Sequence, residues 1–378
     1  MAKLNWRNMG VNGYVTSRYL RIKHLHKNAI YNFLLNKYQT INKKDLEILY
    51  YCKDKPQELQ LLLNKFDSNN VFALVHKKQL LNYTEQWTFN YIKRVEIETS
   101  TVCNWKCEYC PVKYNRRKPK FIDKNLFCDI LDKCVEYKHV KLITLHSYNE
   151  PTIDPNFTFY FDEIQKRKLH WLLYTNGSFI DEDLMRLLKK NQYLKEITIN
   201  IPSMNKDLFS RMTGADTYNE TLNAIRLSLK YQLKTSVSIQ GNKKSQALEA
   251  NNIKNKFPQV NVITYGTEDR AGSLKNEYQQ NVEINDDRLS GCFMNTERAC
   301  LSVEGDLILC CNDFYQKKTY GNIQNYDTIE GLLQNNQCVD LRKIIWGEKS
   351  APSDFICRNC IIMNRFHSDD GMFKIYNQ

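Results

Sequence analysis

A long apolar run is the first thing this chain lacks. No stretch of its 378 residues approaches the roughly 18 consecutive apolar positions that a spanning helix needs, which excludes a helical membrane protein. The opening Met-Ala-Lys-Leu-Asn-Trp-Arg-Asn-Met-Gly has neither an apolar core nor a small-residue cleavage site, so no secretory signal is expected and the cytoplasm is the expected compartment. A paired-cysteine framework is missing too. Thirteen cysteines is an odd number for a long chain of cytosolic character, so those that cluster point to metal binding or thiol chemistry rather than to disulfides. No internal repeat is present, and the Asn, Lys and Tyr enrichment is too diffuse to mark a function.

What is present is an apolar fraction of 42%, enough for sizeable cores, in a length that predicts two to three domains. Charge is uneven. Residues 1–93 carry 15 Lys and Arg against 6 Asp and Glu, nine of the chain's twelve surplus positive charges. Within them, alternating stretches from Tyr19 to Thr40, split by His26-Lys27-Asn28, predict a short antiparallel hairpin or meander. Helices are expected next. Asn42 is an N-cap before Leu46, Leu49 and Tyr50, Pro56 opens a helix that buries Leu59, Leu62, Leu63 and Phe66, and Val71, Leu74 and Val75 predict a third. Strands plus three small helices make a winged-helix-like module.

From Val95 the pattern becomes α/β. Strands are predicted at Val95–Ser100, Val140–Ser147, Trp171–Thr175, Glu196–Ser203, Thr235–Gly241 and Val260–Gly266, with helices at Asn125–Tyr137, Asp181–Lys190, Tyr218–Leu229 and Ser245–Lys256. Six βα-like units predict a parallel, partly closed (β/α)6 barrel with its chemistry at the C-terminal strand ends. The expected domains are therefore 1–93, 94–289 and 290–378, the last holding seven of the thirteen cysteines.

Directly after the first barrel strand comes Cys103-Asn104-Trp105-Lys106-Cys107-Glu108-Tyr109-Cys110. Three thiolates on one loop can hold three irons of a cubane cluster and leave the fourth iron open for chemistry. This C-x3-C-x2-C run, with aromatic Tyr109 before the third cysteine, resembles the radical SAM superfamily. The resemblance implies a 4Fe-4S cluster on Cys103, Cys107 and Cys110 that binds S-adenosylmethionine (SAM). A three-cysteine zinc site completed by a distant His is the bland alternative. Ser147-Tyr148-Asn149-Glu150-Pro151, at the end of the second strand, is similar to the family's Gly-Gly-Glu-Pro segment, with Tyr148 and Asn149 in place of the glycines. That likeness implies that Asn149 and Glu150 contact the SAM amino group. Asn200-Ile201-Pro202-Ser203 resembles the family's ribose-contacting strand end, with Ser203 the implied ligand. Ile239 and Gly241 match the segment beside adenine, whereas Val237 and Lys244 depart from it. Arg270 is a candidate partner for the SAM carboxylate or the substrate.

The C-terminal cysteines, Cys292, the Cys310-Cys311 pair after Val303–Leu309, and Cys357-Arg358-Asn359-Cys360, resemble the SPASM/Twitch extension of radical SAM enzymes. The resemblance implies one auxiliary 4Fe-4S cluster on Cys292, Cys310, Cys357 and Cys360. Cys311 competes with Cys310, one residue away and expected on the other face of a strand. A four-cysteine zinc ribbon is the structural alternative. Cys52, Cys128, Cys134 and Cys338 are expected as small core residues, and Cys300 or Cys311 as a thiol facing the site or an inert buried one.

Residues Tyr19 to Tyr83 resemble the leader-peptide recognition domain of peptide-modifying maturases, which adds a leader as a strand to a sheet edge. The basic charge suits an acidic leader. The expected substrate is a ribosomally made precursor peptide rather than nucleic acid, with flavodoxin or ferredoxin as electron donor. The expected reaction is hydrogen abstraction leading to crosslinking, oxidation or epimerisation. Oxidation of a small alcohol or sugar, and a non-catalytic zinc-binding nucleic-acid adaptor, are the alternatives.

Overall fold

A computed structural model describes residues 92–363 except 242, 267, 275–283, 285–288, 290–291, 293, 296–297 and 346–348, together with six short strands before residue 92. Those strands are β1 (Gly10–Val11), β2 (Tyr14–Val15), β3 (Leu20–His24), β4 (Asn28–Asn32), β5 (Lys37–Thr40) and β6 (Val75–His76). The β3, β4 and β5 strands form the expected antiparallel meander. At Val75 the expectation of helix fails. Val75 and His76 pair antiparallel with β2 instead, a strand position that suits a β-branched residue. The helices expected over 42–74, and Cys52, lie outside the described residues.

Six parallel strands follow in the order of the sequence: β7 (Arg94–Ile97), β8 (Leu142–Thr144), β9 (Trp171–Thr175), β10 (Leu194–Asn200), β11 (Thr235–Gly241) and β12 (Asn261–Gly266). Between them run α1 (Lys124–Tyr137), α2 (Phe157–Lys166), α3 (Glu182–Lys190), α4 (Lys206–Thr213), α5 (Tyr218–Lys230) and α6 (Lys243–Lys256). Alternation in β7 sorts the two faces of the sheet: Val95 and Ile97 are fully buried in the core with Phe127, Ile130 and Leu131 of α1, leaving Glu96 on the lumen face.

Local signals set the helix ends. Asp123 caps α1 through the amides of Asn125 and Leu126, and Asp181 caps α3 through that of Leu184. Two helices went unforeseen. The aromatic run Phe157-Thr158-Phe159-Tyr160-Phe161 has strand composition, yet it buries Phe157, Tyr160, Phe161 and Ile164 at helical spacing. The α4 helix is short and polar, and it buries only Phe209 and Thr213.

The C-terminal segment does not stand apart. Strand β13 (Arg298–Leu301) pairs in parallel with β7, and β14 (Asp306–Ile308) and β15 (Thr319–Asn322) continue from it antiparallel, giving one nine-stranded sheet. Helices α7 (Ile329–Gln334) and α8 (Asn336–Ile345) pack behind it.

Gly214 closes α4 at φ +61, and a Cβ there would lie 3.0 Å from the Lys106 carbonyl. Gly214→Ala is therefore expected to cost about 1 kcal/mol or more, with Gly214→Asn milder because Asn tolerates the left-handed region. Urea unfolding of the full chain measures both.

Candidate active site

The loop after β7 carries Cys103, Cys107 and Cys110, and α4 fixes it. The amides of Lys106 and Glu108 donate to the carbonyls of Thr213 (2.9 Å) and Met212 (3.0 Å), using the acceptors a helix end leaves open. Trp105 pins the loop from within. Its ring is buried edge-on against Phe209, and its Nε1 donates to Ser178 (3.0 Å) and Thr217 (2.9 Å). Asn104 and Asn176 join the third strand end to the same loop, with Asn176 donating to Asn104 at 2.7 Å.

All three cysteines are free thiols. Burial raises each of them: Cys103 to about 12, helped by the charge of Glu150, and Cys107 well above the ordinary range, helped by Cys110 and Cys103. Tyr109 lies in the same buried group, hydrogen-bonded to Cys107 and accepting from Asn200 at 3.0 Å. Three thiols on one loop, each raised by burial, would be held as thiolates by a strongly cationic iron–sulfur core, so the donor set fits a cluster. Among the described residues, no three Cys, His, Asp or Glu side chains converge on a single-ion site.

The other expected site residues divide. Glu150 is buried, and its Oε1 accepts from the Thr152 amide (3.1 Å), the Thr152 hydroxyl (2.6 Å) and Thr175 (2.7 Å). Its Oε2 accepts from the Asn176 amide at 2.7 Å, so Glu150 ties the second strand end to the third while one oxygen keeps acceptor capacity. Asn149 keeps its side chain within the turn. Its Oδ1 accepts from the Ser147 amide and its Nδ2 donates to Thr99 and the Leu145 carbonyl, which leaves its backbone for the contact the resemblance implies. Ser203 is engaged within the fold. It is fully buried, donates to Glu249 at 2.8 Å and accepts from the Asn205 amide, so it braces the turn into α4. The polar groups at these strand ends nearest Tyr109 are Asn200, which donates to its hydroxyl, and Ser238, which donates to Asn200 Oδ1 at 3.1 Å. Lone polar residues at strand ends gave no signal to prefer them over Ser203.

Cys292, Cys310, Cys357 and Cys360 come together, each thiol raised by burial and, for Cys292, Cys310 and Cys357, next by others of the cysteines gathered there. Cys310 and Cys311 are not on a strand, because β14 ends at Ile308 and a turn begins at Cys311. The turn, not strand alternation, separates them. Cys310 lies with Cys357 and Cys360, whereas Cys311, pushed up to about 11 by burial and Glu96, is held down by Arg298 and Arg270 on the lumen side. Cys300 also faces the lumen, 3.2 Å from Glu96. Cys134 and Cys338 are buried as expected, while Cys128 is half-buried beside Glu163 at 3.6 Å.

Two residues join the cysteine groups. Tyr148 packs with Val112 and Phe314 against Cys103 and Cys110, and its hydroxyl donates to the Cys311 carbonyl at 2.6 Å. Arg270, held at φ 52, lies near Cys110, Tyr148 and Cys311 and donates to Asn312 at 3.4 Å. Arg117 adds a two-pronged contact to Glu98 (2.9 and 2.5 Å) beneath the Phe314 ring. Neither Tyr148 nor Arg117 announced this in the sequence.

Residues 97–242, which hold most of the barrel, match the Radical SAM superfamily, a family of enzymes. A curated relative, the S-adenosyl-L-methionine-dependent 2-deoxy-scyllo-inosamine dehydrogenase of Niallia circulans, is 23% identical over 269 residues, covering 70% of this chain and 91% of the relative. Among solved structures, Streptococcus suis SuiB bound to precursor peptide SuiA is 12% identical and aligns over 92% of this chain and 100% of its own, with a TM-score of 0.60. Native anSMEcpe with bound AdoMet and the Cp18Cys peptide aligns over 74% and 90%, at 14% identity and a TM-score of 0.54. No helix of the described residues is long and apolar enough to cross a membrane.

His146, at the end of β8, is stacked on Tyr174 at 4.3 Å, and burial, with Arg94, Arg298 and Arg270 adding and Glu96 opposing, pushes it down to about 4. Above its unfolded pKa, near 6.5, it is neutral in both states and costs nothing. As pH falls towards 4 the unfolded chain binds the proton first, so stability drops by up to about 3 kcal/mol across that window. Denaturant titrations between pH 4 and 7 should show a flatter dependence for His146→Gln than for the parent.

Proposed function

We propose that the protein is a maturase that abstracts a hydrogen atom from a residue of a ribosomally synthesised precursor peptide. The observation that carries this reading is the placement of three free cysteines, one buried and two half-buried, at the mouth of the parallel barrel, with Tyr148 linking them to the turn at Cys311. A cluster on Cys103, Cys107 and Cys110 would supply, from bound SAM and one electron, a 5'-deoxyadenosyl radical able to take hydrogen from carbon. The chain's own residues set the conditions: Tyr109 and Asn200 support the Cys107 thiolate, Glu150 holds two strand ends together, and Tyr148 and Phe314 keep an apolar wall against Cys103 and Cys110. Cys292, Cys310, Cys357 and Cys360 would hold an auxiliary cluster that accepts the electron left on the product. A flavodoxin or ferredoxin would deliver the first electron.

The peptide reading draws on the basic N-terminal region and on the meander, whose outer strands β3 and β5 are edges of their sheet among the described residues. An edge offers backbone groups to an added strand. SuiB, similar over nearly the whole chain, carries a precursor peptide. The dehydrogenase relative favours a second reading, oxidation of a small hydroxylated substrate in the same barrel. The superfamily match sets the non-catalytic zinc adaptor aside.

Anaerobically reconstituted protein should hold about eight irons, falling to about four, with loss of SAM cleavage, when Cys103, Cys107 and Cys110 become Ala. Cys310→Ala should lose auxiliary iron and Cys311→Ala should keep it; the reverse would place Cys311 in the ligand set. For the substrate, the full chain should bind a leader peptide encoded beside its gene with an affinity that persists at high salt. Proline scanned through Leu20–His24 and Lys37–Thr40 should weaken that binding at one edge. Steep loss with salt and preference for RNA or duplex DNA would instead mark phosphate binding.

A further inference from the structure

The chain after Cys110 runs through the 3-10 turn Pro111–Lys113 into a strap, residues 111–121, that carries five Lys and Arg and no Asp or Glu. The strap lies back along the approach to the cysteine loop. The Thr101 amide donates to the Lys120 carbonyl at 2.9 Å, the Thr101 hydroxyl donates to that of Lys118 at 2.7 Å, and Phe121 pairs with Ser100. Glu98 joins the strap to the turn that follows Cys311, because it accepts from both prongs of Arg117 and, at 3.4 Å, from the side-chain amide of Gln316.

Two of the strap's cations have partners within the fold, Arg117 in Glu98 and Lys120 in Glu304. Lys113, Arg116 and Lys118 are exposed, as are Lys317 and Lys318 on the adjoining turn, and none of these five forms an ion pair among the described residues. Lys113, Lys317 and Lys318 instead lie over the rings of Tyr114, Tyr315 and Tyr320. Against the five stand Glu108 on the cysteine loop and buried Asp313, whose Oδ1 accepts from the Gln316 amide at 3.2 Å. The surface keeps a positive surplus, and Phe121 and Tyr315, 38% and 45% exposed, add apolar area to it.

One layer of side chains separates this surface from sulfur. The Arg117 head lies over the Phe314 ring at 5.5 Å, and Phe314 packs with Val112 and Tyr148 against Cys103 and Cys110. The backbone is bonded through as well: the Lys113 amide donates to the Cys110 carbonyl at 3.1 Å and the Tyr114 hydroxyl to the Glu108 carbonyl at 3.0 Å. Arg116 is close enough to Cys103, and Arg117 to Cys110, to favour their thiolates. Electron transfer weakens steeply with distance, and weak electron-transfer pairs meet through small faces steered together by opposite charge.

We propose that the strap at 113–121 and the turn at 315–318 form the docking surface for an acidic protein that delivers one electron to the cysteine loop. The donor is oxidised by one electron, the iron–sulfur core on Cys103, Cys107 and Cys110 is reduced by one, and no bond is made or broken in that step. The proposal rests on the reading of these cysteines as cluster ligands, and it places the donor's contact. An acidic leader would suit the charge equally, but only a donor gains from closeness to Cys103 and Cys110.

The test uses the full chain, reconstituted anaerobically, with an acidic flavodoxin as the probe. Flavodoxin binding is measured by calorimetry at low and high salt, and SAM cleavage is driven in parallel by reduced flavodoxin and by dithionite, a small reductant that needs no docking face. The variants are Lys113→Glu with Lys118→Glu on the strap, Lys317→Glu with Lys318→Glu on the turn, and, as a control, Lys189→Glu with Lys190→Glu at the C-terminal end of α3, where the helix returns to the start of β10. Flavodoxin should bind the parent with an affinity that falls about tenfold between about 50 and 300 mM salt. The strap and turn variants should each lose about tenfold in flavodoxin binding and in flavodoxin-driven cleavage while keeping dithionite-driven cleavage, and the α3 variant should match the parent throughout. No flavodoxin binding by the parent, equal losses in the α3 variant, or unchanged binding in the strap and turn variants would overturn the proposal. So would loss of leader-peptide binding in those variants with flavodoxin binding intact, which would give the surface to the substrate. Charge-dependent flavodoxin binding without SAM cleavage from either reductant would sink the radical reading alone, and dithionite-driven cleavage without charge-dependent flavodoxin binding would sink this inference alone.

Discussion

Three sulfur atoms on an eight-residue loop must be kept together, partly or fully buried, although burial and neighbouring cysteine charge oppose the ionisation of Cys103 and Cys107. Without outside support such a loop would open towards water, where its thiols titrate independently. The support comes from elements far away in sequence: the last carbonyls of α4 hold two loop amides, Trp105 reaches the hydroxyls of Ser178 and Thr217, and the Glu150 amide donates to Val102 at 2.9 Å. These anchors lie at the ends of β8 and in the connections after β9 and β10, so the barrel must close before the loop can take its shape.

Tyr148 extends that constraint to the second cysteine group. A glycine at this position would leave a gap between the loop and the turn at Cys311. The tyrosine fills it, stacking edge-on against Phe314 at 4.8 Å and fixing the Cys311 carbonyl through its hydroxyl. The wall so formed is apolar where it meets Cys103 and Cys110, and polar where Arg270 and Asn312 meet at its rim.

The cysteine run, the six strands and four of the barrel helices were legible because each depends on a local signal: spacing of thiols, apolar runs of strand length, and capped periodic helices. The strand ends at Trp171–Thr175 and Thr235–Gly241 agree to the residue. What escaped was whatever a partner across the fold decides. Ser203 and Asn200 look equally suited to a ligand in sequence, and only Glu249, 46 residues on, shows that Ser203 is already engaged. The side-chain bonds of Asn149 were hidden for the same reason, since its partner Thr99 lies on another segment. The strand face assigned to Cys311 failed because the alternation rule was carried three residues past the end of the strand.

The pairing of β13 with β7 escaped for a deeper reason, since nothing in Arg298–Leu301 distinguishes a strand that joins a distant parallel sheet from one that folds with its own hairpin. Its consequence is large. Without β13, β7 would be the sheet's edge at the point where the cysteine loop begins, and Glu96 would border solvent. With it, the Glu98 amide donates to the Leu301 carbonyl at 2.9 Å, and Arg298 and Cys300 are delivered to the lumen beside Glu96. The hairpin turn that follows is packed against the first barrel helix. Gly305 sits at φ +82, and a Cβ there would press on Leu126 of α1 and on Ile323, each at 3.0 Å. The cysteines of the C-terminal segment are thus held in place by the element that supplies the lumen with its charge. The position of the second cysteine group and the chemistry of the chamber are therefore fixed by one strand pairing.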